Sequence, residues 1–195
     1  MRGTASGVSP ATGFRVICYC GDCQAFARFL ERPDVLDSAG GTDILQMPPA
    51  RVKLLAGREA LRCLRLSEKG LFRWYTDCCR TPVGNTAGPR VPLIGVIHSF
   101  WDHGTDSHSV DQALGPPVCR VNERSATAPL PAIAPGPPSF GLYARWASQV
   151  LGWWVRGLAR PNAFFEGQAH GLVITPRVLT AGERTRLRGA TRSPT

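Results

Sequence analysis

Lysine is almost missing from this chain: Lys53 and Lys69 are the only two among 23 basic residues, so a formal charge of +9 is carried by arginine. The excess is also uneven. Up to Arg120 the net charge is +3, and the remainder adds +6. Such a surplus can attract anionic substrates, nucleic acid or a membrane surface, or can form a solvated arginine-rich tail. The tail is the expectation here. There is no recognised DNA-reading motif and no basic stripe interleaved with aromatics, so no nucleic-acid partner is expected. No apolar run follows Met1-Arg2-Gly3, which argues against a secretory leader. The most apolar long segment, Leu142 to Ala159, is broken by Arg145, Ser148, Gln149 and Arg156, and no transmembrane span is expected. Seven cysteines is an odd count. Without a leader this disfavours a disulfide framework and makes a reducing cytoplasm the expected compartment.

At 195 residues the chain is long enough for one domain with an appendage. The stretch Val16-Ile17-Cys18-Tyr19-Cys20-Gly21-Asp22-Cys23-Gln24 concentrates its chemistry. Phe14 to Tyr19 reads as a short strand, on which Cys18 and Cys20 share a face. Gly21-Asp22 is turn chemistry that can bring Cys23 back toward them. Gln24 to Leu30 then carries apolar residues at helical spacing, ending before Pro33. Three thiols therefore converge at a helix N-terminus, where the dipole favours thiolate. A soft divalent metal, zinc first, is the expected occupant. Buried packing residues or a redox pair with a spare thiol are the other readings.

Further strands are expected over Thr42 to Met47, Val52 to Ala56, Ala60 to Leu66, Leu71 to Thr76 and Leu93 to Phe100, separated by short breaks such as Gly57-Arg58-Glu59. The fold class read from this pattern is mainly β, a core of short antiparallel strands of meander type. Cys78-Cys79-Arg80-Thr81-Pro82 follows one such strand. Neighbouring strand residues point oppositely, so at most one of Cys79 and Cys78 would face the first cluster; bound together with Cys18, Cys20 and Cys23, it would close a four-cysteine site. Cys63 reads as core, and Cys119, beside Pro116-Pro117, as a loop residue without a role. His98, His103 and His108 with Asp102, Asp106 and Asp111 fall in one polar loop. His98 ends an apolar strand and is the candidate general base. Leu114 to Ser139, rich in proline and alanine, reads as a linker or wrapping arm. A helix capped by Ser139 follows, with Leu142, Tyr143, Trp146, Val150, Trp153, Trp154 and Leu158 at helical spacing and Gly157 and Pro161 at its end. Its stripe is expected to dock on the β core, the other reading being a membrane or partner surface. Ala181 to Thr195 reads as a helical turn fraying into a disordered end. The divisions are thus 1–113, a metal-binding β domain; 114–139, the linker; and 140–195, an amphipathic helix with a basic tail.

Cys-x-Cys-x-x-Cys followed by Gln-Ala-Phe, then Leu-x-x-Gly in a strand meander, then Arg-x-x-x-x-x-Cys-x-Thr-Pro resembles the glutathione-dependent formaldehyde-activating enzyme and centromere protein V superfamily. Gly13 to Phe26 and Cys78 to Asn85 resemble an uncharacterised bacterial branch of it. The resemblance spans about Gly13 to Phe100. It implies a β-tent fold, a zinc ion regarded as catalytic on Cys18, Cys20 and Cys23, and carbon–sulfur lyase chemistry on adducts of an aldehyde with a small thiol such as glutathione. It also implies an earlier strand with a further Cys-x-Cys, and a later Cys-x-x-Cys for a second, structural zinc. Here no cysteine precedes Cys18, as though the first family strand were missing. Thr76 and Cys79 occupy the two positions of the later pair. Arg80 could pair with a substrate carboxylate, a role the family does not assign to it. The rival reading is a closed Cys₄ site in a non-catalytic zinc module that acts as a binding protein.

Overall fold

The computed structural model describes residues 1–100, 108–132, 135–166, 171–172 and 174–189. In chain order the strands are β1 (Arg2–Ala5), β2 (Phe14–Cys18), β3 (Thr42–Met47), β4 (Val52–Ala56), β5 (Leu61–Arg65), β6 (Phe72–Thr76), β7 (Pro82–Thr86), β8 (Ile94–Ile97), β9 (Cys119–Val121), β10 (Phe165–Glu166), β11 (Gly171–Leu172) and β12 (Arg177–Val178). The helices are α1 (Gly21–Phe29), α2 (His108–Leu114), α3 (Phe140–Val155) and α4 (Ala181–Gly189). The chain is mainly β, with α3 and α4 toward its C-terminus.

Eight strands form one open sheet in the order β12-β5-β6-β7-β8-β3-β2-β9, and two ribbons, β1–β4 and β10–β11, stand beside it. Pairing is antiparallel from β5 through to β2, as the meander pattern predicts. At both edges it turns parallel, β12 on β5 and β9 on β2. Alternation along the strands divides the core between two clusters. Val16, Cys18, Ile44, Leu64 and Ile97 pack with Phe26 of α1 and its C-cap Leu30. Leu45, Met47, Leu61, Cys63, Trp74, Ile94 and Val96 pack in the other with Phe164 and Phe165. Trp74 anchors this second cluster. It is fully buried, its indole N–H donates to Thr86 Oγ1 at 2.9 Å, and its ring lies 5.1 Å from that of Phe164.

Four expectations are corrected. The stretch Gly3 to Gly13, where Pro10 and the glycines predict a turn-like lead-in, begins inside a strand, β1, paired with β4, although no cysteine lies on it. Pro82–Thr86, which the expected strands leave out, is a buried central strand; Pro82 is its first residue, where a missing N–H costs least. The proline-rich arm contributes β9 to the main sheet, with Val16 opposite Cys119, so Cys119 is a buried strand residue. The helical turn expected from Ala181 is a nine-residue helix, α4, packed against α1, where Arg28 Nη1 donates to the Leu187 carbonyl at 2.6 Å, and β12 just before it extends the sheet. Residues 190–195 lie outside the described residues.

Helix α3 forms where its cap predicts, Ser139 Oγ accepting from Leu142 N–H at 3.2 Å. It docks through a narrow stripe. Trp153 is buried, Leu142 packs on the first cluster, and Trp146 Nε1 donates to Gln46 Oε1 at 2.6 Å. Arg145 crosses the Phe14 ring at 4.8 Å and donates to the Pro10 carbonyl. No helix among the described residues is long and apolar enough to cross a membrane.

Candidate metal centre

Strand β2 ends at Cys18, and Cys20 is the N-cap of α1, with extended backbone angles of −62° and 145°. The helix then turns Cys23 back over the cap, so that Cys23 N–H reaches Cys20 Sγ at 3.4 Å. A strand end, a cap and a first turn thus bring the three sulfurs together, all within 4.8 Å of one another. Bonds of about 2.3 Å from one metal ion to several thiolates need sulfurs roughly 4 Å apart, and this set fits that demand. Cys18 and Cys23 are buried, while Cys20 faces a cavity.

The trio is electrostatically asymmetric. Hydrogen bonding from Cys18 and then Cys23 holds the Cys20 thiol well below its usual range, helped by Cys23 N–H and the charge of Arg73. Its bond to Cys20 pushes the Cys18 thiol up, and its bonds to Cys18 and Cys20, with burial, push Cys23 up further. A metal ion bound by all three sulfurs would displace the protons that Cys18 and Cys23 keep, since each ligand must be a thiolate.

Around the sulfurs lies a shell that sequence reading passed over. Arg73 is only 2 % exposed; its guanidinium sits 4.0 Å from Cys23 Sγ, 3.2 Å from Asn85 Oδ1 and 3.8 Å from Asp22. The visible signal was an arginine between Phe72 and Trp74 in a strand that also opens the Arg-x-x-x-x-x-Cys-x-Thr-Pro motif. Asn122, in the left-handed region with φ of 61°, donates from Nδ2 to Cys18 Sγ at 3.5 Å. Buried Gln24 donates to the carbonyls of Tyr19 and Ser125 at 2.9 and 2.8 Å, fastening the proline-rich arm over the cluster. The cavity that Cys20 faces has a volume of about 690 Å³ and is lined by three guanidinium groups, Arg73, Arg124 and Arg188, with Asp22 between two of them.

Cys78 and Cys79 do not join the trio. Helix α1 starts at the sulfurs and runs for nine residues, about 13 Å. Past its far end Arg32 donates to the Cys79 carbonyl at 3.3 Å and to Thr81 Oγ1 at 3.1 Å. The expected fourth ligand thus stands at the opposite end of the helix. There Cys79 Sγ lies 2.9 Å from Thr76 Oγ1, 3.2 Å from Thr81 Oγ1 and 3.6 Å from Cys78 Sγ, exposed to solvent. Arg80 pairs with Glu31 at 3.0 Å on the same turn, away from the cavity. His98 follows β8 and does not line the cavity. Asp111 pairs with Arg15. Asp102, His103 and Asp106 lie outside the described residues, as does the side chain of His108. All seven cysteines are free thiols.

Residues 2–171 match a family of unknown function, DUF6151. The chain belongs to that family. No curated protein and no solved structure matches it. For a DUF6151 chain the chemistry must therefore be argued from the site: three sulfurs poised for one metal ion, with one of them open to a cationic cavity.

Proposed function

We propose that this protein holds zinc on Cys18, Cys20 and Cys23 and acts on adducts of an aldehyde with a small anionic thiol such as glutathione, as a carbon–sulfur lyase. The observation that carries the reading is the placement of Cys20, which belongs to the sulfur cluster and also lines the arginine-bearing cavity. Three thiolates leave a fourth position for substrate, whereas a purely structural site closes with four protein ligands. Bound zinc would supply a Lewis acid that favours the thiolate form of a substrate sulfur. The only sulfurs that sequence reading offered for closure, Cys78 and Cys79, stand at the other end of α1, which weighs against the closed structural module.

The protein's own groups have separate tasks in this reading. Arg124 and Arg188 bind carboxylates of the thiol, and Arg73 fixes the edge of the sulfur cluster. Asp22 is the carboxylate in the cavity, and it replaces His98 as the candidate for proton transfer. As the carbon–sulfur bond of a hemithioacetal breaks, its hydroxyl proton passes to Asp22, the oxygen's electron pair forms the carbonyl, and the sulfur leaves as thiolate. In the reverse direction the same carboxylate returns the proton. With seven free thiols, the protein suits a reducing compartment such as the cytoplasm.

The test is exchange between free formaldehyde and its glutathione adduct, followed by NMR line shapes with the zinc-loaded protein. Acceleration by wild type and by Cys78→Ser/Cys79→Ser, with loss in Cys20→Ser and Asp22→Asn, is expected. Zinc-loaded wild type that leaves the exchange at its uncatalysed rate would contradict the proposal.

A further inference from the structure

Helix α3 carries two apolar stripes, and only one is used. Leu142, Trp146, Val150 and Trp153 turn toward the fold. On the opposite side Phe140, Tyr143, Ala144, Ala147, Leu151, Trp154 and Val155 recur at three- and four-residue spacing, which places them on one face. Phe140 is 88 % exposed, Val155 72 %, Trp154 64 %, Leu151 59 % and Tyr143 55 %. Not one charged or amide side chain interrupts this face along the 16 residues of the helix. Among the described residues the other large exposed hydrophobics, Leu55, Leu71 and Val178, are scattered over separate strands and loops. A contiguous apolar patch of this kind marks an interaction surface.

We propose that the outer face of α3 seats this protein on an anionic lipid membrane, with the helix lying in the plane of the interface. Charge is the first argument. From Ser125 to Phe165 the sequence holds three arginines, at 145, 156 and 160, and no carboxylate. Arg156 and Arg160 are exposed just beyond the helix end. A surface of that sign is drawn to acidic headgroups, whereas two copies meeting through the same face would bring like charges together. Composition is the second. Trp154 and Tyr143 are amphipathic aromatics of the type that settles at the headgroup boundary, and Phe140, Leu151 and Val155 supply the apolar depth. Length is the third. Sixteen residues span about 24 Å, too short to cross the roughly 30 Å hydrocarbon core but sufficient to lie along it. Because the inner stripe fastens the helix to the sheet through Trp153 and the Trp146–Gln46 hydrogen bond, the membrane would meet a rigid ridge already folded.

Sedimentation of the full-length protein with vesicles tests this independently of any catalytic reading. Phosphatidylcholine vesicles containing about a third phosphatidylserine should pull the protein down at low salt, and neutral phosphatidylcholine alone should bind at least ~10-fold more weakly. The variant Leu151→Glu/Trp154→Glu should lose binding at least ~10-fold while keeping its circular dichroism and zinc content, since both side chains face solvent. Arg156→Gln/Arg160→Gln should weaken binding and flatten its salt dependence. No partition onto anionic vesicles would overturn the proposal. So would undiminished binding by the double glutamate variant, or light scattering that shows a wild-type dimer which the same variant makes monomeric.

Discussion

Cys18, Cys20 and Cys23 stand at the start of α1, and Cys78 and Cys79 beyond its far end, and the two groups of thiols have opposite characters. The first is enclosed: two of its sulfurs are buried, a guanidinium and an amide touch them, and the thiols hydrogen-bond among themselves. The second is exposed at a turn, and its hydrogen bonds come from Thr76 and Thr81 hydroxyls. Five cysteines within one domain thus make three-plus-two rather than a single set. The cause is the helix between them, whose axis separates its N-terminal cluster from whatever meets its C-terminal end.

The contrast is sharpest in metal affinity. Cys20→Ser should weaken zinc binding more than ~100-fold, while Cys78→Ser/Cys79→Ser should change it less than about twofold, as competition with a chromogenic chelator would read. Next comes stability. Arg73→Ala removes a buried cation that Asn85 and Asp22 partner, and should cost about 2–3 kcal/mol in urea denaturation. Arg32→Ala, at the exposed end, should cost less than about 1 kcal/mol. Reactivity should invert the order. The Thr76 and Thr81 hydroxyls draw the Cys79 thiol down to about 7, whereas burial pushes Cys63 up to about 12. Since the thiolate is the nucleophile, Cys79 should be alkylated by iodoacetamide at least ~10-fold faster than Cys63 at neutral pH, its rate rising with pH through about 7 and then levelling. Thr76→Val should move that midpoint upward; an unmoved midpoint would remove the hydroxyls from the explanation. The smallest effect is expected at Asn122. Asn122→Gly keeps the left-handed backbone but deletes the donor to Cys18, and should lower metal affinity up to about tenfold with little change in fold.

What sequence reading recovered was local. Cys18, Cys20 and Cys23 lie within six residues, so spacing alone brings the sulfurs together, although Cys20 caps α1 instead of sharing a strand face with Cys18, and the helix begins at Gly21 instead of Gln24. Strand β2, whose burial alternates residue by residue, was legible for the same reason. What it missed depends on distant partners. The three residues of β9 sit among prolines and exist as a strand only because β2 offers an edge. Helix α4 has little apolar content and is held by the Arg28–Leu187 bond and the Arg188–Asp22 pair, neither of which a periodicity can reveal. Arg73 was visible in the motif, but its role needed the register of β6 against β7 and the approach of α1. The distance between the two cysteine groups was illegible because it is set by how α1 lies across the sheet.

The central claim is that the three-cysteine site is open. Cobalt substituted for zinc reports it directly, because thiolate-to-metal absorption grows with each sulfur bound. The account predicts a three-thiolate spectrum that gains intensity when glutathione is added, and the same behaviour in Cys78→Ser/Cys79→Ser. A four-thiolate spectrum indifferent to glutathione, and reduced in Cys79→Ser, would contradict it.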